Sequence, residues 1–115
     1  MRRALLILFA ALISIAPSAH AIEVRVTAPA LERTLTARAR ERPSGSYTVE
    51  LLDDPPSIGA KVREEAEEVA RAAREESDER VDEEAADVLY HLLVLMHGRG
   101  RRLADAERVL DARRR

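Results

Sequence analysis

From Ser57 to His97 the chain keeps a helical rhythm broken only once, and that rhythm decides what it can fold into. Ile58, Val62, Ala66, Val69 and Ala73 recur at three- and four-residue intervals, the repeat of one face of a helix. After Ser77-Asp78, two residues suited to a helix N-cap, the rhythm resumes with Val81, Ala85, Val88, Leu89, Leu92, Leu95 and Met96. The spacing predicts helices over about 57–76 and 78–97, with Gly98 and Gly100 ending the second. Two amphipathic helices joined by so short a turn are expected to pack antiparallel through their apolar stripes.

The flanking segments extend the pattern. A helix is expected over 29–42, where Leu31, Leu35 and Ala39 share a face, Pro29 sits in the first turn and Pro43 stops it. Residues 43–48 have loop chemistry, Asp53-Asp54-Pro55-Pro56 is a second break, and the piece between them (47–52) reads as either short helix or extended chain. A last helix over 103–112 carries Leu103, Ala106, Val109 and Leu110. The expected architecture is all-α, a bundle of four to five helices forming one domain over 22–115. A 115-residue chain buries only a modest core, so a homodimer is expected to complete it. Tyr90 falls off the apolar stripe and suggests a dimer contact, while His91, beside that stripe, reads as a packed core residue.

Composition removes several function classes. Acidic residues number 21 against 19 basic ones, Lys61 is the only lysine, and no one-sided basic field argues for nucleic acid. Cysteine is absent, which excludes disulfides, thiolate metal sites and cysteine nucleophiles. Residues 1–21 read differently from the rest. Arg2-Arg3, the apolar run Ala4–Ile15, Pro17 and Ala19-His20-Ala21 make a pattern like a signal peptide, too short for a permanent membrane span. The alternative is an extension preceding a cytosolic domain. Residues 22–27 alternate apolar and polar side chains, as a linker or a short strand would.

Most acids on a charge-rich helix face water. At about 100° per residue, however, Glu65 and Glu68 fall at the margin of the first long helix's apolar stripe, with Lys61 between them. Glu67 lies far round the back and Glu64 lies farther out than Glu65. Glu84 and Asp87 border the second helix's stripe in the same way, with His91 continuing their row. Residues three apart are surface neighbours, so each helix presents a carboxylate pair. Packing the stripes brings the pairs together, and four close carboxylates demand a cation, protons or arginine partners. Oxygen-only ligands favour Mg²⁺, or Mn²⁺, before zinc.

The spacing Glu64-Glu65-x-x-Glu68, fifteen residues, Glu84-x-x-Asp87 resembles the metal signature of the all-helical MazG-type nucleoside-triphosphate pyrophosphatases. The segments Arg42–Thr48, Lys61–Val69 and Glu83–Leu95 are similar, more narrowly, to the phosphoribosyl-ATP pyrophosphohydrolase family of histidine biosynthesis, with the likeness running from about residue 30 to 115. The resemblance implies hydrolysis of phosphoribosyl-ATP to phosphoribosyl-AMP and pyrophosphate, with Mg²⁺ held by Glu65, Glu68, Glu84 and Asp87. It further implies that Glu64 holds a second ion or polarises the attacking water, and that Lys61 offsets phosphate charge. Arg42, Ser44, Gly45 and Ser46 would contact phosphate or ribose; without the resemblance, that loop reads as an ordinary turn. A cytoplasmic location follows from the pathway.

Some features depart from the family pattern. Arg101-Arg102 stands where a serine commonly caps the last helix, which should weaken that cap. Many relatives are fused to a zinc-dependent cyclohydrolase that relies on cysteine; with none here, this chain is expected to carry the pyrophosphohydrolase step alone. Two other readings compete: a house-cleaning nucleotide pyrophosphatase, weakened by the scarcity of aromatics for gripping a base, and a non-catalytic helical interaction module.

Overall fold

The computed structural model describes residues 27–114, and all regular structure among them is helical. The signal-like segment 1–21 and the alternating stretch 22–26 lie outside the described residues. Five helices follow in order: α1 (Ala28–Glu41), α2 (Tyr47–Asp53), α3 (Pro55–Glu75), α4 (Asp78–Gly98) and α5 (Leu103–Arg113). The segment that the sequence leaves open between helix and strand is therefore the short helix α2.

Each boundary has a local cause. Thr27 caps α1 by accepting the Ala30 amide hydrogen at 3.3 Å, and Pro29 occupies the first turn. At the other end Arg42 takes the left-handed conformation (φ 49°) and its amide donates to the Arg38 carbonyl at 2.8 Å, so the helix closes just before Pro43. Ser46 caps α2 through the Val49 amide, and Ser77 caps α4 through the Arg80 amide, each at 3.4 Å. Asp78 and Glu79 in α4's first turn complement the helix dipole. Gly100 adopts φ 67° just past the C-terminus of α4, a conformation natural to glycine.

The Arg101-Arg102 expectation is met in part. Arg102 is the N-cap of α5 and its side chain, which has no acceptor atom, makes no cap bond. Asp105 compensates by accepting the Arg102 amide hydrogen at 2.8 Å, half of a capping box.

α3 and α4 form the antiparallel hairpin that dominates the packing, and α2 touches α1, α3 and α4. The core comprises Leu31, Leu35, Leu51, Ile58, Tyr90, Leu93 and Val94, with Tyr47, Leu52, Leu95 and Leu103 packed on its edge. Two expectations fail here. Tyr90 is not a surface contact: it is 1% exposed, and its hydroxyl shares a 2.6 Å hydrogen bond with Thr48. The second concerns the stripes. On α3, Ala66 and Ala73 are exposed and Ala72 is buried. On α4 none of the predicted apolar set is fully buried; Leu95 joins the core edge and Leu89 is 54% exposed. The buried residues of α4 are instead Glu84, Asp87, Tyr90, His91, Leu93 and Val94. The physical reason is that this face carries the side chains that meet inside the fold, Glu84 with Arg80, Tyr90 with Thr48 and His91 with Tyr47, while the apolar ridge lies on another face of the helix.

Candidate metal centre

The inward row of α3 runs Ile58, Glu65, Ala72, one residue every two turns, and all three are buried. The inward row of α4 runs Glu84, Asp87, His91, Val94. Where the rows face each other, Glu65, Glu84 and Asp87 each offer a carboxylate oxygen, and these oxygens all lie within 4.8 Å of one another. That is the dimension of a set of ligands around a single divalent ion, and the donors are all oxygen, as a hard cation requires.

The electrostatics agree with the geometry. Burial strips water from the Glu65 carboxyl, and Asp87, Glu84 and Glu64 add negative charge, so its pKa is pushed up to about 7 although Lys61 offsets part of the effect. Burial and Glu84 likewise raise Asp87 to about 6, against the pull of Arg80. Such groups reach neutral pH partly protonated, and a cation among them would displace those protons.

One internal cation already serves the cluster. Arg80 donates through Nε to Glu76 at 3.0 Å, through Nη1 to Glu83 and through Nη2 to Glu84 Oε1. It thereby braces the α3–α4 turn and fixes one face of a cluster carboxylate. Sequence reasoning missed this residue, although the four-residue spacing from Arg80 to Glu84 is the spacing of a helical ion pair.

The other expected site residues are spread around this centre. Glu68 is half-buried one turn beyond Glu65, outside the three-carboxylate group, and accepts from Arg71 at 2.5 Å. Lys61 lies one turn before Glu65, half-buried, and bonds Glu64 at 3.1 Å. Glu64 faces outward, as its angle on the helix predicts. In the α1–α2 loop Arg42 grips both carboxylate oxygens of Asp53 at 2.7 and 2.6 Å, on the surface. Ser44 and Gly45 are exposed, Gly45 has φ 73°, and Ser46 is committed to capping α2. A groove of about 710 Å³, lined by Thr36, His97 and Leu103 among others, contains none of these residues.

His91 sits at the centre of the connection between loop and carboxylates. It is fully buried, as the core reading requires, and it is also engaged at both ring nitrogens: Nδ1 with the Asp87 carbonyl at 2.8 Å and Nε2 with the Tyr47 hydroxyl at 3.0 Å. Sequence reasoning singled out neither Tyr47 nor this pairing.

A profile of the family described as "Phosphoribosyl-ATP pyrophosphohydrolase" matches residues 28–114, nearly the whole described chain. The chain belongs to this family. Among its relatives, the phosphoribosyl-ATP pyrophosphatase of Pyrobaculum arsenaticum is 48% identical over 85 residues, covering 73% of this chain and 90% of that protein. The histidine biosynthesis bifunctional protein HisIE of Xylella fastidiosa is 46% identical over 87 residues, 75% of this chain but only 42% of its own length. The chain thus spans about two fifths of such bifunctional relatives and nearly all of the single-activity one. The phosphoribosyl-ATP pyrophosphatase of Rhodopirellula baltica is 47% identical over 74 residues, 61% of this chain and 62% of that protein. The three-carboxylate centre thus belongs to a chain of a family in which some relatives are named for phosphoribosyl-ATP. No helix among the described residues is long and apolar enough to cross a membrane.

Proposed function

We propose that this chain hydrolyses phosphoribosyl-ATP to phosphoribosyl-AMP and pyrophosphate, the second step of histidine biosynthesis, at the centre formed by Glu65, Glu84 and Asp87. The observation that carries this reading is the convergence of three buried carboxylates from two helices to within 4.8 Å. Glu65, Glu84 and Asp87 would hold Mg²⁺, or Mn²⁺ in its place, with Glu68 joining after release from Arg71. Bound there, the ion would supply charge neutralisation for the triphosphate oxygens.

The chain's own groups do the rest. Glu64, exposed beside Glu65, is suited to accept a proton from the attacking water. Lys61, paired with Glu64, brings a positive charge to the same side, where it offsets phosphate. Arg42 and the exposed turn Ser44-Gly45-Ser46 stand ready for phosphate or ribose, Arg42 by exchanging its surface pair with Asp53, which costs little in water.

We infer in addition that the protein acts in the cytoplasm, where this substrate is made, and as a homodimer. The dimer reading rests on α4's outward ridge. Ala85, Leu89, Leu92 and Met96 lie on one helix face and none is buried by the described residues. A continuous apolar ridge on a small domain is suited to meet its own copy across a two-fold axis.

The test is pyrophosphate release measured with phosphoribosyl-ATP and with a panel of ordinary nucleoside triphosphates, with and without Mg²⁺. Mg²⁺-dependent release from phosphoribosyl-ATP far above the panel is expected. Preference for a free nucleotide would replace this reading with the house-cleaning one, and no release from any of them would leave a non-catalytic module.

A further inference from the structure

The short helix α2 is pinned to α4 by two consecutive residues on each side. Tyr47 reaches His91 at 3.0 Å and Thr48 reaches Tyr90 at 2.6 Å. The rings of Tyr47 and His91 meet edge-on, 5.9 Å apart, and the Tyr47 and Tyr90 rings stack at 6.3 Å. The two pins differ in what they connect. Thr48 and Tyr90 are sealed in the core. Tyr47 is half-buried, and it directly follows the Ser44-Gly45-Ser46 turn.

The hydrogen positions on His91 follow from its neighbours. A carbonyl oxygen can only accept, so Nδ1 carries the proton and donates to Asp87 O. With the proton on Nδ1, the neutral ring presents Nε2 as an acceptor. The Tyr47 hydroxyl must therefore be the donor to Nε2. Burial and the nearby charges of Glu65 and Glu64 push Tyr47 up to about 12, which keeps that hydroxyl protonated. The result is a continuous connection from turn to Tyr47 hydroxyl, to imidazole, to the backbone of Asp87. The other clasp on this loop, Arg42 with Asp53, is exposed and weak by comparison.

We propose that Tyr47 and His91 are positioning residues, a strut that sets the distance between the Ser44–Ser46 turn and the carboxylate centre through a single His91 tautomer. This deepens the function proposed above and rests on it for its kinetic consequences, but its structural consequence can be read without turnover. Asp87 is held at its backbone by this strut and offers its carboxylate to the centre, so the two functions do not compete for one atom.

Three variants separate the strut from a merely structural role: Tyr47→Phe, which keeps the ring and removes the hydroxyl; His91→Leu, which removes the acceptor; and His91→Gln, whose amide can restore an acceptor near Nε2. With phosphoribosyl-ATP and saturating Mg²⁺, Tyr47→Phe and His91→Leu are expected to raise KM about tenfold, the scale of one well-made hydrogen bond. Their kcat should stay within about twofold, and His91→Gln should recover much of the lost KM. Amide exchange supplies the second reading. The Ser46 amide, bonded to the Pro43 carbonyl, and the Val49 amide, bonded to Ser46, should exchange about tenfold faster in Tyr47→Phe. Mg²⁺ affinity should not change. An unchanged KM together with unchanged exchange in Tyr47→Phe overturns the strut, as does a loss confined to kcat and Mg²⁺ affinity. If the wild-type chain releases no pyrophosphate from phosphoribosyl-ATP, the functional reading fails by itself and the exchange rates still decide the strut. If His91→Leu does not fold, Tyr47→Phe decides alone.

Discussion

The two faces of α4 are furnished in opposite ways. Toward the interior it presents Glu84, Asp87 and His91, all buried, with Tyr90 and Val94 completing the surface. Away from it run Ala85, Leu89, Leu92 and Met96, with Leu89 more than half exposed. A helix selected only for the stability of one chain would have these faces exchanged, because burying carboxylates costs free energy while burying leucine gains about 25 cal/mol per Å². The inward acids are tolerable because Arg80 and Lys61 supply counter-charge and because a divalent ion would supply more. The outward leucines are tolerable where a second copy covers them. On the function proposed above, α4 would divide its work, with chemistry on the inward side and assembly on the outward one.

The comparison is broken most severely by changing the inward face. Glu65→Gln or Asp87→Asn is expected to lower turnover at least a thousandfold while circular dichroism stays helical, since one mutual repulsion is removed with each charge. Appreciable activity in either variant would take the chemistry away from this face. Next in size is the outward face. Leu89→Glu should weaken self-association by at least a hundredfold in sedimentation while leaving Mg²⁺ affinity intact. A variant that stays dimeric would assign the ridge to something other than the partner.

A smaller effect sharpens the inward half. Glu65 and Asp87 have pKa values raised above their ordinary ones, to about 7 and about 6. Groups raised on folding favour the folded state when protonated, so their contribution is fully present below about pH 4 and is lost as pH rises through 6 and 7. The metal-free protein should therefore lose stability, on the order of a few kcal/mol, across that window. Lys61 and Arg80 face the same groups and blunt the loss. Saturating Mg²⁺ should flatten the profile, and a metal-free profile that rises over pH 5–8 would contradict the assignment. Smallest is Ser77→Ala at the start of α4, expected to cost about 1 kcal/mol in denaturant titration with no change in KM, because it touches neither face.

Much of this was legible from residue order. Ser77 announces α4, Pro43 ends α1, and the inward angles of Glu65, Glu84 and Asp87 follow from the helical repeat. What misled was the assumption that the apolar stripe of a helix is its buried stripe. That rule fails for α4, where the buried face carries Glu84, Asp87 and His91 and the described residues leave the apolar ridge only partly covered. Tyr90 was misplaced for the same reason: an angle measured from Leu89 and Leu92 points away from the ridge, and away from the ridge is inward. The strut from Tyr47 to His91 joins residues 44 positions apart, and nothing in local spacing encodes such a contact. Glu68 marks the opposite limit, since its angle is right while its partner is Arg71, a choice made by side-chain rotamers rather than by the helix.

The most direct test of the central claim, that α3 and α4 build a divalent-cation site on the inward face, is Mn²⁺ binding followed by electron paramagnetic resonance. Wild-type protein should show saturable binding that Mg²⁺ displaces, and Asp87→Asn should lose it while Leu89→Glu retains it. Equal binding by wild type and Asp87→Asn would contradict the claim.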